Sequence, residues 1–233
     1  MAAHAPAEVE ADSALLRHFR RLEFFPTPPW AARSGGELVK WLDPTAKTAK
    51  DGACGKGHMA FGLKDSFDTV AASDIYDHGW DGQDRVIDYT ARDQGDWPAA
   101  DWDITNPPFK LAAEFVRLGL QRAKRGVAIL ARQALLESAG RYELFFGSET
   151  RLSVYAPFFE RVPMVLGRWD PRASTATAYA WFVFTRPEVA AELGLGPDPI
   201  VRPIPPGTKA RLSRPDDARR FGFAEPSTLF GDL

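Results

Sequence analysis

The chain has 233 residues, a formal net charge of −2, one cysteine, and 45% hydrophobic against 26% charged residues. That length and apolar content suffice for one domain with a proper core and exclude a chain disordered throughout. The near-neutral balance excludes a globally basic polyanion binder, the lone cysteine excludes an internal disulfide or a multi-cysteine zinc site, and no apolar run approaches the ~18–20 residues of a membrane span.

In chain order, residues 1–12 are Ala-rich and acidic and lack the basic and apolar regions of a secretory signal, so the expectation is a frayed start on a cytoplasmic protein. A short helix is predicted over 13–22, with Leu15, Leu16, Phe19 and Leu22 on one side. Phe24–Trp30, FFPTPPW, carries three prolines in four positions and predicts a stiff extended segment. A helix is predicted over 31–42, weakened at Gly35-Gly36 and ending before Pro44. From residue 45, strand-like runs (46–50, 68–73, 84–87, 102–105, 127–131) alternate with helical ones, the clearest being 110–124. Such alternation predicts an α/β fold with a mostly parallel sheet covered on both faces. The run TAKTAK before Asp51 is polar and Ala-rich for a strand in that setting. Runs 152–159, 162–167 and 178–185 are β-rich, and the last two predict a hairpin that joins the sheet edge antiparallel. From Arg186 the Pro and Gly content predicts an extended tail.

Two motifs carry chemistry. Asp51–Gly57, DGACGKG, follows the first strand of this alternation, and its glycines let the backbone turn tightly and approach a ligand. Asp74 lies 17 positions beyond Gly57 at the end of the next strand, where nucleotide-binding α/β folds hold ribose hydroxyls. A phosphate loop is excluded because His58, not Lys, follows Gly57. The second motif, Asn106-Pro107-Pro108-Phe109, ends the 102–105 strand at the mouth of the sheet. Asn106 Oδ1 and the Pro107 carbonyl offer two acceptors, Pro108 has no N–H to occupy them, and Phe109 offers a stacking face. That set suits a planar molecule with an exocyclic amine: accepting both amine hydrogens draws the nitrogen lone pair out of conjugation.

With these motifs the chain resembles the S-adenosylmethionine-dependent N6-adenine DNA methyltransferases, in particular the small single-domain forms of phages and prophages. The resemblance spans roughly 23–186 and implies a Rossmann-like class I sheet with an antiparallel edge strand and helices on both faces. It leaves 1–22 as an N-terminal extension and 187–233 as a Pro/Arg-rich C-terminal tail. It implies S-adenosylmethionine as cofactor, held by Thr27 and Pro28 of the leader, by Asp51, Ala53, Gly55 and Gly57, by Asp74 and Ile75, by Asp88 and by Asn106. Asp88 matches the residue at the cofactor's adenine, and Asn106, Pro107, Pro108 and Phe109 match the catalytic tetrad. It implies no metal and a nucleic-acid partner, DNA in the first place. The tetrad is shared with enzymes that methylate RNA bases or protein glutamine, and a catalytically silent cofactor-fold module is the reading from another class. Gly52 departs from the proline the family often carries there.

Arg161, Arg168 and Arg172 flank the late β-rich runs as candidate phosphate contacts or plain surface. Between 202 and 220 six basic residues face two acidic ones, which suits either a DNA-binding tail or a merely soluble one. Cys54 reads as a packed residue rather than a nucleophile, and His58 as a contact to a cofactor carboxylate or a solvated helix residue. Trp30, Trp41, Trp97 and Trp169 read as packing residues.

Overall fold

The fold is that of a computed structural model, which describes residues 7–137, 139–147 and 150–222. The chain forms α1 (Ala7–Leu22), α2 (Pro29–Leu42), β1 (Thr48–Asp51), α3 (His58–Leu63), β2 (Thr69–Asp74), β3 (Arg85–Val86), β4 (Trp102–Thr105), α4 (Ala112–Arg122) and β5 (Gly126–Arg132). Two 3₁₀ turns and α5 (Tyr142–Phe146) lead into β6 (Leu152–Pro157) and β7 (Tyr179–Thr185). Then come α6 (Pro187–Glu192), β8 (Ile200–Val201), α7 (Thr208–Leu212) and α8 (Pro215–Phe221).

One eight-stranded sheet has the order β3-β2-β1-β4-β5-β7-β6-β8. β7 runs antiparallel to both β5 and β6, and the remaining pairs are parallel. This is the mostly parallel α/β sheet that the alternating pattern predicts, with the antiparallel strand that the resemblance implies. β5 and β7 are buried along nearly their whole length, as continuous apolar runs with helices on both faces should be. The chain leaves β1 toward β2 and β3 on one side, then returns to β4 and β5 on the other. The switch point therefore lies between β1 and β4, where open α/β sheets form their crevice.

The polar β1 has a local explanation. Lys50 is buried, with its ammonium 4.2 Å from the centroid of the Trp97 ring, and Asp101 Oδ2 accepts the Thr48 N–H at 2.9 Å. Burial lowers the pKa of Lys50, and the nearby Asp103 opposes that drop.

The structure corrects several sequence expectations. The proline-rich leader does not stay extended to Trp30, because Pro29 opens α2 at the helix position where a missing N–H costs nothing. Gly35 sits within that helix because a Cβ there would come 2.3 Å from Trp181 Cζ2, so the absent side chain lets α2 lie directly on β7. The hairpin expected between 162–167 and 178–185 is absent: β7 pairs with β6 instead. Residues 162–167 are loop, since Pro163 lacks a donor, Gly167 takes φ 77°, and its N–H donates to the Phe24 carbonyl at 2.8 Å.

The expected tail is folded as far as Gly222. β8 extends the sheet, and α8 buries Asp217 in a bidentate ion pair with Arg33 at 2.7 Å for each bond. Proline opens α8 at its first turn rather than breaking it. Of the tryptophans expected to pack, Trp30 and Trp169 are core, while Trp41 stays 41% exposed beneath the guanidinium of Arg202.

Candidate active site

β1 and β4 end side by side, and their last residues tie the two motifs together. Thr105 Oγ1 donates to Asp51 Oδ1 at 2.7 Å, and Ala53 N–H donates to the same oxygen at 3.3 Å. Burial pushes the Asp51 carboxyl up to about 7, against those two donors, and its Oδ2 is buried without a partner. The turn that follows needs its glycines: Gly55 and Gly57 take φ 52° and 82°. A Cβ on Gly55 would meet Phe24 of the leader at 2.4 Å. Gly52, at the position where a proline was expected, leaves room for the Tyr89 ring, which a Cβ there would meet at 2.2 Å.

Asp74 ends β2 and is nearly buried. Its Oδ2 accepts the Gly55 N–H at 2.9 Å and its Oδ1 accepts the Tyr76 N–H at 3.0 Å, with His78 Nε2 3.6 Å away. The carboxylate is therefore fixed in orientation by the backbone of the glycine turn. Asp88 is exposed beyond β3, where its Oδ1 accepts from the N–H and hydroxyl of Thr90.

Asn106 follows β4. Its Nδ2 donates to the Phe25 carbonyl at 3.0 Å and to Thr27 Oγ1 at 3.1 Å. A carbonyl can only accept, so the Phe25 contact fixes which end of the amide is nitrogen. Oδ1 is left buried with no protein partner. Phe109 is half-buried, and its N–H donates to Glu23 Oε2 at 2.6 Å.

These elements line a cleft of about 90 Å³. Thr27, Ala53, Asp74, Ile75, Asp88, Asn106 and Pro108 all line it. Pro28, Asp51, Gly55, Gly57, Pro107 and Phe109 do not line it; Phe109 lines a separate hollow. Arg161, Arg168 and Arg172 do not line the cleft; they ride on the β6–β7 connection. That connection reaches the site through Met164, whose Sδ is 3.8 Å from Asn106 Nδ2.

Several lining residues escaped the sequence reading. Glu23 sits at φ 51°, the only non-glycine with positive φ among the described residues. Its position just before FFPTPPW was a weak signal at best. Tyr89 stacks on Phe115 at 4.2 Å and donates to Asp103 Oδ2 at 2.6 Å. Burial pushes Asp103 up to about 6. Tyr89 directly follows Asp88, so its neighbour was visible and its ring was not. His58 is neither solvated nor hydrogen-bonded. It is buried against Phe221 of α8 with centroids 4.3 Å apart, and burial, with Lys56 nearby, drives its pKa down to about 3. Burial, with Asp51 and Asp74 adding to it, raises the Cys54 thiol pKa, as befits a packed residue.

Among the described residues no cluster of three or more His, Cys, Asp or Glu could hold a metal, and no helix is long and apolar enough to cross a membrane. No family model and no curated protein matches the chain. Solved structures do resemble it. A candidate RNA methyltransferase from Pyrococcus horikoshii superimposes with a TM-score of 0.51 at 15% identity, over 75% of this chain and 97% of that one. The type I restriction-modification methyltransferase subunit of Streptococcus thermophilus gives 0.52 at 13% identity, over 70% of this chain and 45% of that one. A modification subunit of a candidate type I restriction enzyme from Vibrio vulnificus gives 0.51 at 15%, over 93% of this chain and 57% of that one. The chain thus spans about half the length of the two restriction-modification subunits. At these identities the likeness concerns the fold, and on that ground the chain has the Rossmann-like methyltransferase fold.

Proposed function

We propose that the chain is an S-adenosylmethionine-dependent methyltransferase acting on an exocyclic amine, that of adenine in DNA in the first place. One observation carries this reading: Asn106 presents a buried, unpartnered Oδ1 at the mouth of the cleft, with its nitrogen held by Phe25 and Thr27. A buried acceptor without a partner is costly unless a ligand supplies the donor. The cleft also suits the cofactor: the carboxylates of Asp74 and Asp88 face it together with Thr27, Ala53 and Ile75. The restriction-modification neighbours agree with a nucleic-acid acceptor.

When bound, the cofactor would supply an activated methyl group on a sulfonium centre. Asp74, oriented by the Gly55 and Tyr76 N–H groups, would hold the ribose hydroxyls, and Asp88 the adenine edge. Thr27 serves twice, bordering the cofactor's methionine part and fixing the Asn106 amide. Asn106 Oδ1 and the Pro107 carbonyl would accept the two amine hydrogens, leaving the lone pair free to attack. These contacts strengthen as the nitrogen gains positive character, so they act on the transition state more than on binding. A base within a duplex is out of reach, so the acceptor flips out or comes single-stranded, and Phe109 replaces its lost stacking. The test is incubation with methyl-labelled cofactor and DNA, RNA or protein. Label in N6-methyladenine of DNA is the expected result; label confined to RNA or protein moves the acceptor, and no label in any pool overturns the enzyme.

A further inference from the structure

Two spaces adjoin the tetrad. Asn106 and Pro108 line the cofactor cleft. Phe109 lines a hollow of about 210 Å³ with an apolar wall of Ala112, Ala131 and Leu135 and with Arg132 and Arg141 beside it. The hollow carries two arginines and no acid, unlike the acid-flanked cleft. Arg132, the last residue of β5, is exposed, yet its guanidinium carbon lies 3.9 Å from the Phe109 ring centroid. That is a stacking distance, so the guanidinium occupies the space a base would take on this face.

We propose that the hollow receives the acceptor nucleotide and that Arg132 is its placeholder, covering Phe109 until a base takes the face and then turning to the backbone phosphate. This rests on the methyl-transfer reading given above and adds to it a residue that chooses a nucleotide over a bare amine. The exchange is physically reasonable. Arg132 gives up an exposed cation–π pair and its hydrogen bond to Tyr179; base stacking on an aromatic ring outweighs the first, and a charge-assisted, bidentate phosphate partner replaces the second. Arg141 stays in place, anchored by donation to the Leu135 carbonyl at 3.2 Å.

The probes are two single-stranded oligomers of equal length, one of deoxyadenosine and one abasic, bound to full-length protein over a salt series. Wild-type protein should prefer the deoxyadenosine strand. Arg132→Gln should weaken binding of both strands about threefold to tenfold and flatten the dependence of log K on log salt by about 0.7, one phosphate on a single strand. Arg132→Lys should keep the slope, because it keeps the charge. Phe109→Ala should erase the preference for the base while keeping the slope. Cofactor affinity, read by calorimetry, should be unchanged in Arg132→Gln. Wild-type affinity and slope in Arg132→Gln overturn the arginine assignment and leave methyl transfer standing. Wild-type protein that binds cofactor and methylates some other acceptor, yet binds neither strand, overturns the nucleotide site. Failure to bind cofactor at all overturns the methyltransferase reading beneath it.

Discussion

Replacing Asp217 with alanine should destabilise the protein by about 3–5 kcal/mol, the usual cost of stranding one partner of a buried ion pair. Arg33 is 2% exposed and spends its donors on Asp217 at 2.7 Å twice, on Asp65 Oδ2 at 2.6 Å and on the Leu212 carbonyl at 2.8 Å. Loss of Asp217 leaves the buried guanidinium with half its contacts. Asp217 Oδ2 also accepts the Arg214 N–H at 2.9 Å, so α8 loses its cap, worth about 1 kcal/mol more. Asp65 keeps part of the charge balanced, which holds the total near the lower end of the range. The loss is large against the ~5–15 kcal/mol of a typical domain. It should reach the cleft as well, because α8 carries Phe221 against His58, which lines the cofactor space. Urea unfolding measures the stability, and calorimetry on the folded variant measures cofactor affinity. The double variant Arg33→Met with Asp217→Leu should recover much of the stability, since apolar side chains of similar volume remove the stranded charge. A change below about 1 kcal/mol in Asp217→Ala would refute the clamp.

His58 sets an acid limit. Its folded pKa is depressed to about 3, so its contribution is complete above the unfolded pKa of ~6.5 and is lost as pH falls toward 3. His58→Phe should flatten the fall in melting temperature between pH 6.5 and 4, whereas an unchanged profile would place the acid sensitivity elsewhere. Asp74→Ala should weaken cofactor binding tenfold to a hundredfold, the equivalent of one or two hydrogen bonds to a charged group, and unchanged affinity in calorimetry would remove it from the site. Glu23→Ala should slow methyl transfer by about tenfold to a hundredfold by freeing the Phe109 N–H, while Glu23→Gln, which retains an accepting oxygen, should hold most of the rate. Equal rates in the two variants would deny Glu23 a positioning role.

The parallel half of the sheet was legible because a strand buried on both faces must be apolar, as 127–131 is, and because Gly-rich and Pro-rich turns punctuate strand ends. The cleft residues Ala53, Asp74 and Asn106 were legible for the same reason: each sits where a strand stops. What escaped depended on contacts across long separations. Glu23 meets Phe109 over 86 positions and Arg33 meets Asp217 over 184, and no local pattern encodes either. The tail misled because proline reads as a breaker, whereas Pro187 and Pro215 open helices. Its cations are engaged: Arg211 pairs with Glu37 and Arg214 with Asp65 across the chain, and Arg219 and Arg220 with Asp216 within α8. Residues 162–167 have strand composition but give a hydrogen bond to the leader instead, which places Met164 on Asn106.

The central claim, that Asn106 Oδ1 polarises the acceptor amine, is tested most directly by single-turnover transfer to an adenine-containing oligonucleotide at saturating cofactor. Losing one preorganised acceptor of this kind typically costs ~10²–10³ in rate. Asn106→Ala should fold, bind cofactor as the wild type does and transfer methyl groups slower by that factor. Asn106→Asp should keep appreciable activity, because a carboxylate oxygen also accepts. Wild-type rates in Asn106→Ala would contradict the account.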